Sequence, residues 1–218
     1  MKGIWFGDIH SYDDLNLILS KADIPPATAK TNFVDIPGGD GSVDLTESLG
    51  KTTYKTRTCK FTLSVLPSDN FEDKKREISN LLNGQRFKIT LDKDPDWYWE
   101  GRCSVDSYAS SKNLHQIVVG AVVAPYKLKR ELTRVSVTLE ENVSMMNVTL
   151  LNERKHVVPT LTLDNKAAVI TGGKSYSLEA GTHTILDFEL TEGENEFQIV
   201  RAAAGSLTAT FTYQEGAL

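Results

Sequence analysis

No stretch of this chain approaches the roughly twenty consecutive apolar residues that a helix needs to cross a bilayer, so membrane insertion is not expected. Its first residues, MKGIWFGDIHSYDD, place one lysine before acidic residues instead of leading a charged segment into a long apolar one. That is not the pattern of a secretory leader, and the chain is expected to be made and kept in a reducing cytosol. Cysteine is scarce: Cys59 and Cys103 fall in predicted strands and lack the short paired spacing of a zinc site or a redox CxxC. Buried reduced thiols are favoured over a disulfide. Histidine is scarce too, and His10, His115, His156 and His183 form no HxxxH or HxH spacing, which leaves them as surface or strand residues. There is no basic tract, and a formal net charge of -5 argues against a protein that grips nucleic acid through clustered positive charge.

What is present is an ordinary soluble composition, 40% hydrophobic and 24% charged over 218 residues, enough for one large domain or two small ones. The stretch Cys59 to Val105 is the clearest. Cys59, Phe61, Leu63 and Val65 alternate with Lys60, Thr62 and Ser64, the period of a half-buried strand that Pro67 ends. Ser68 and Asp69 offer helix-start acceptors, and Glu72 and Asp73 put negative charge in the first turn. Phe71, Ile78, Leu81 and Leu82 then share one helical stripe, opposite Lys74, Lys75, Arg76 and Glu77, up to the left-handed stop at Gly84. This predicts a helix over about 70–83. Phe87, Ile89 and Leu91 resume the strand period, the Asp92 to Asp96 run with Pro95 breaks it, and Trp97, Tyr98 and Trp99 follow. Trp97 and Trp99 point together and Tyr98 opposite, so at least one of the three is expected at a surface or contact.

On either side, the pattern is less uniform. Ile4 and Phe6 suit a short strand, whereas Tyr12 to Leu19 permits a helix or a strand before Pro25 and Pro26. From Thr31 the chain alternates on both sides of Pro37, Gly38, Gly39 and Gly41, a turn whose backbone needs positive dihedrals. Its flanks are thin in large apolar residues, which suits a long hairpin or arm, about 32–56, projecting toward another chain. Leu114 to Ala124 is nearly continuous in Ile117, Val118, Val119, Ala121, Val122 and Val123, and reads as a strand buried on both faces or a subunit contact. The pattern breaks at Tyr126 to Glu131, and a boundary is expected near Lys129, giving domains 1–128 and 129–218.

The second domain predicts short strands and no helix. Val135 to Leu139, Leu161 and Leu163, Val169 and Ile170, Tyr176 and Leu178, Ile185 and Leu186, Phe197 and Ile199, and Leu207 to Tyr213 recur between glycines. Strands this short at this spacing predict a two-sheet antiparallel sandwich.

A search for chemistry finds little. TGGKSYS around Gly173, Lys174 and Ser175 has Ala168 where a phosphate loop needs its first glycine, and no helix follows. Asp40, Asp44 and Glu47 lack the alternating ligands of a calcium loop. Asp92, Asp94, Asp96 and Glu100 beside aromatics could suggest a glycoside hydrolase, but one turn seldom supplies both opposed carboxyls, and a solvated turn is preferred. With no nucleophile and base, no metal cluster and no cofactor fingerprint, the chain reads as a non-enzymatic assembly or binding component without cofactors.

The order of motifs resembles the distal tail proteins (Dit) of long, non-contractile-tailed bacteriophages and their prophages. The likeness is carried by the N-terminal strand, the IPGGDGSVDLTE arm followed by KTTYKTR, the CKFTLSVLPS to FKITL strand-helix-strand, the DPDWYWEGRC turn and the terminal FTYQEGAL. It implies a mainly β protein with one helix: an N-terminal tail-tube-like β-sandwich with helix and arm, and a C-terminal galectin-like sandwich. It implies a structural virion protein at the tail tip, synthesised in the bacterial host cytoplasm and forming a homohexameric ring between the tail tube protein and the hub. Receptor-binding proteins are further implied partners, and genome DNA would pass the channel without specific recognition. Inter-subunit contact is assigned on this resemblance to Phe33, Val34, Ile36, Pro37, Gly38, Gly39, Val43, Leu45 and Tyr54. Trp97, Tyr98 and Trp99 are the candidate contact aromatics. The alternative is a carbohydrate-binding protein whose sandwich uses Tyr176, Phe197 or Tyr213 as stacking platforms on a host wall glycan.

Overall fold

The structure, a computed structural model, describes residues 3–48, 50–66, 70–111 and 114–218. Among the described residues it is mainly β with one helix, as the sequence pattern implies, and its sheets are antiparallel. The chain divides into two compact units, one ending at Lys127 and also taking in Leu218, the other running from Leu128 to Ala217.

In the first unit the strands are β1 (Ile4–Phe6), β2 (Ile9–His10), β3 (Leu17–Asp23), β4 (Phe33–Asp35), β5 (Ser42–Asp44), β6 (Arg57–Val65), β7 (Arg86–Leu91), β8 (Asp94–Ser111) and β9 (Leu114–Val123), with helix α1 (Phe71–Leu82) between β6 and β7. Seven of them hydrogen-bond in the order β2-β1-β7-β8-β9-β6-β3. The undecided segment before Pro25 is thus a strand, β3, preceded by a turn.

The predicted strand-helix-strand is present. Cys59, Phe61, Leu63 and Val65 of β6 are buried, and their neighbours Thr58 and Lys60 are exposed. Helix α1 begins at Asn70, whose side chain accepts from the Glu72 backbone N at 3.0 Å. The predicted start signals Ser68 and Asp69 and the strand stop Pro67 lie outside the described residues. Ile78 and Leu82 are fully buried, each contributing about 1.5–3 kcal/mol, and Phe71 and Leu81 pack partly against the same core. The opposite face is closed by the i,i+3 pairs Glu72–Lys75, Asp73–Arg76 and Lys74–Glu77, each worth a few tenths of a kcal/mol. Gly84, with φ +76°, ends the helix as predicted.

Two expectations need correction here. The break over Asp92 to Asp96 is only a turn at Asp92 and Lys93, and Pro95 lies at the second position of β8, where a proline costs little because a strand end needs fewer ladder donors. Strand β9 is not buried on both faces. Ile117, Val119, Ala121 and Val123 face the core, but Val118 is half-buried and Val122 remains 51% exposed.

The second unit contains β11 (Thr133–Leu139), β12 (Met145–Asn152), β13 (Thr160–Leu163), β14 (Ala167–Thr171), β15 (Lys174–Leu178), β16 (Gly181–Thr184), β17 (Gly193–Arg201) and β18 (Leu207–Tyr213). It is preceded by β10 (Lys127–Lys129), which pairs with β19 (Gly216–Ala217). Two four-stranded sheets, β11-β18-β13-β16 and β12-β17-β14-β15, enclose one apolar core centred on the rings of Phe188, Phe197 and Phe211. Ile185 and Leu186 are not in a strand: β16 ends at Thr184, and Leu186 sits in the following turn, 80% exposed. Gly172 and Gly173 form the two-residue turn of the β14–β15 hairpin, which is what the TGGKSYS segment builds in place of a phosphate cradle.

Candidate functional site

The arm is a two-stranded hairpin whose β4 and β5 pair with each other and, among the described residues, with no other strand. A neck precedes it: Ala29 bridges to Tyr54, Lys30 N donates to Thr53 O and Lys55 N to Thr28 O, both at 2.8 Å. At the tip Gly39 N donates to Ile36 O at 3.0 Å, and Gly38 and Gly41 take φ of +81° and +75°, conformations glycine adopts without strain. The register Phe33–Asp44, Val34–Val43, Asp35–Ser42 sorts the side chains by face. Val34, Ile36, Val43 and Leu45 share one face, while Phe33, Asp35, Ser42 and Asp44 share the other. All four aliphatics of the first face are exposed, by 42, 55, 42 and 38%, and Phe33 by 58%. An aliphatic face left in water forgoes the free energy of its burial.

The arm's other predicted residues fall around this face. Pro37, Gly38 and Gly39 form the tip, and Tyr54 stands in the neck, half-buried and edge-on to Tyr126 at 5.8 Å. Asp40, Asp44 and Glu47 are spread along the arm: Asp44 accepts from Thr46, and Glu47 from Thr52. Among the described residues no group of three or more His, Cys, Asp or Glu could hold a metal ion.

Behind the neck lies Arg57, 6% exposed, whose guanidinium donates to Pro25 O at 3.2 Å and to Pro125 O at 2.5 Å. Burial lowers its pKa below the usual guanidinium value, although Coulombic interaction with Cys59 opposes the shift. This clasp ties both ends of the arm-bearing segment to the sheet, and the motif reading missed it. The signal was available, because stepping back by two from Cys59 along the β6 alternation puts Arg57 on the core-facing side.

The aromatic turn behaves differently from the expectation. Tyr98 and Trp99 are 7 and 6% exposed, so the protein's own fold already covers them, and neither is free to serve as a contact aromatic. Trp97 is half-buried, with Lys127 Nζ 5.0 Å above its ring. Three of the nearby carboxylates are engaged, and Asp96 is exposed. Asp94 pairs with Lys127 at 2.8 Å and Glu100 with Arg86 at 3.0 Å, while Asp92 accepts from Gly3 N at 2.5 Å and the Trp5 indole at 3.0 Å. His10, 6% exposed and stacked on Trp5, bridges Asp92 to Asp13. It lies in β2, a strand histidine as expected, and what the sequence does not show is its contact. Its partner Asp92 is 82 residues away, and no local spacing announces such a contact. In the sandwich, Phe197 and Tyr213 are each 4% exposed and belong to the core, so they cannot be stacking platforms, and Tyr176 donates its hydroxyl to Asp187.

Two β units and a hairpin with an uncovered aliphatic face describe an assembly component. The chain belongs to the phage tail protein RIFT-related domain family, whose sequence profile matches residues 10–140, and it is therefore a structural protein of a phage tail. Among solved structures it is similar to the crystal structure of the Dit (gp 19.1) protein of phage SPP1, described as a paradigm of the hub adsorption apparatus in phages infecting Gram-positive bacteria. The TM-score is 0.67, with 98% of this chain and 99% of that one covered at 14% sequence identity, so the likeness is one of fold. No curated protein matches in sequence.

Proposed function

We propose that this protein forms a hexameric ring at the tail tip, joining the last ring of tail-tube protein to the hub, with each arm clasping the next subunit. The observation that carries this reading is the arm: within a phage tail protein, a hairpin with Val34, Ile36, Val43 and Leu45 all exposed has no use for that face unless another chain covers it. A closed ring also needs two different patches per subunit meeting head to tail, and an arm reaching out of one fold onto another supplies them. In this reading, the unit ending at Lys127 builds the ring and the sandwich faces outward. DNA passes the channel without specific recognition, and the fold likeness to SPP1 Dit supports the tail-tip position.

Gold-labelled antibody against the purified protein, applied to intact virions, tests the position. Label confined to the tail end distal to the capsid is expected, and label distributed along the tube or at the capsid would rule the proposal out.

A further inference from the structure

Strand β3 ends its sheet, and among the described residues β6 is the one strand it pairs with; Leu17 N donates to Ser11 O at 2.7 Å, and beyond Leu17 the outer edge is open to receive a strand. Beside that edge, Leu19, Ser20, Lys21 and Ala22 line a cleft of about 240 Å³ with Gly3, Leu91 and Lys93. Leu19 and Ala22 are half-buried and give the cleft aliphatic walls. Lys21 and Lys93 stand exposed at it, and neither has a carboxylate partner among the described residues. On α1, by contrast, Lys74, Lys75 and Arg76 are all neutralised locally.

The arm complements this cleft. Residues 31–50 carry Asp35, Asp40, Asp44 and Glu47 and no lysine or arginine. From its neck to its tip, about eight residues at roughly 3.3 Å each, the arm spans about 25 Å, long enough to leave its own unit. Its aliphatic side chains suit a space that accepts side chains but not a whole hairpin. Asp35 and Asp44 lie on the face opposite the aliphatics, so an arm docked by its aliphatic face would hold them about a hairpin's thickness from that surface, a separation comparable to a Debye length. Their attraction therefore steers association more than it forms contact pairs.

We propose that the arm of one copy docks in the cleft beside β3 of a second copy, its aliphatic face against Leu19 and Ala22 and its acidic charge drawn by Lys21 and Lys93. This names the receiving surface for the arm and rests on the reading of the arm as a clasp.

Cysteine cross-linking of the full chain tests it, because the native Cys59 and Cys103 are buried and do not compete. Ser20→Cys is combined in one chain with Val34→Cys or with Val43→Cys, and Ser20→Cys with Arg76→Cys on the outer face of α1 is the control. The expected result is a ladder of covalent oligomers on non-reducing gels with at least one arm position and none with the control. An assembly that forms by light scattering but gives no ladder overturns the docking site and leaves the ring intact. Cross-links confined within single chains overturn it in favour of the protein's own arm. A protein that never leaves the monomer overturns the ring and the docking site together. Independently, Lys21→Glu with Lys93→Glu is expected to slow association at least threefold at low salt and to have little effect at high salt. An association rate unchanged at low salt counts against the steering role.

Discussion

Val34 and Val43 face each other directly across the arm, and each leaves 42% of its surface in solvent. Cross-strand valines usually meet in a sheet whose far side is packed; here that side is open. If a neighbouring chain covers them, each is worth about 1 kcal/mol of association, by area burial. Replacing both with serine should leave the thermal midpoint of the folded chain within about 2 °C and weaken self-association by roughly thirtyfold, as two lost kcal/mol imply. Sedimentation equilibrium measures this, and an unchanged association constant would mean that the face has another purpose.

Arg57→Ala removes both donors from Pro25 O and Pro125 O and leaves these carbonyls in a poorly solvated site. The expected loss is about 2–3 kcal/mol in urea denaturation. Arg57→Lys should recover part of it, because one ammonium cannot reproduce the forked geometry. Limited proteolysis should also cut faster within 31–50 in the alanine variant, since the clasp holds the root of the arm.

Cys59 and Cys103 stand in register with the same residue, Ala121, from opposite sides of β9. Two strand spacings, about 9–10 Å, separate their backbones, beyond the roughly 4.4–6.8 Å that a disulfide spans. Burial pushes the Cys103 thiol up to about 12 and raises that of Cys59. Both should titrate as free thiols in denaturant and resist alkylation in the folded chain even near pH 9. The stability gained by keeping these thiols neutral is complete below the ordinary value of 9.0 and is lost as pH rises toward 12. A fast-reacting thiol at pH 8 in the native protein would contradict the packing.

Local periodicity made β6 and α1 legible, because each exposes one face and buries the other over enough residues to show a period, and β7 was legible from the alternation of Phe87, Ile89 and Leu91 although Thr90 between them is buried as well. The arm was legible for the opposite reason: Pro37, Gly38, Gly39 and Gly41 mark a turn whose flanks cannot build a core. Periodicity failed where residues met across long sequence separations or where apolar side chains faced solvent. Val118 and Val122 make β9 look doubly buried, although its second face is uncovered. Ile185 and Leu186 look like half a strand but form a turn. Tyr98 and Trp99 look like surface aromatics because the sequence does not show which strands lie over them. Nothing local couples Gly3, Trp5 and His10 to Asp92.

That last cluster has a measurable consequence. Burial alone would raise the Asp92 pKa, but the Gly3 backbone N–H, the charge of His10 and the Trp5 indole together hold it below its ordinary 3.8. Its contribution is therefore present above about pH 4 and is lost as pH falls through the lower folded value. Asp92→Asn should lower stability at neutral pH and flatten its dependence on pH between about 4 and 2. Parallel acid-unfolding curves for the two proteins would show that the carboxylate charge is not what fastens β1.

The most direct test of the ring is solution mass by light scattering on a sizing column across a range of protein concentrations, for the full chain and for a variant lacking Pro37 to Gly50. The account predicts a mass near six times 24.1 kDa for the full chain and folded monomers for the variant. A full chain that stays monomeric throughout, or rings that persist without the arm, would contradict it.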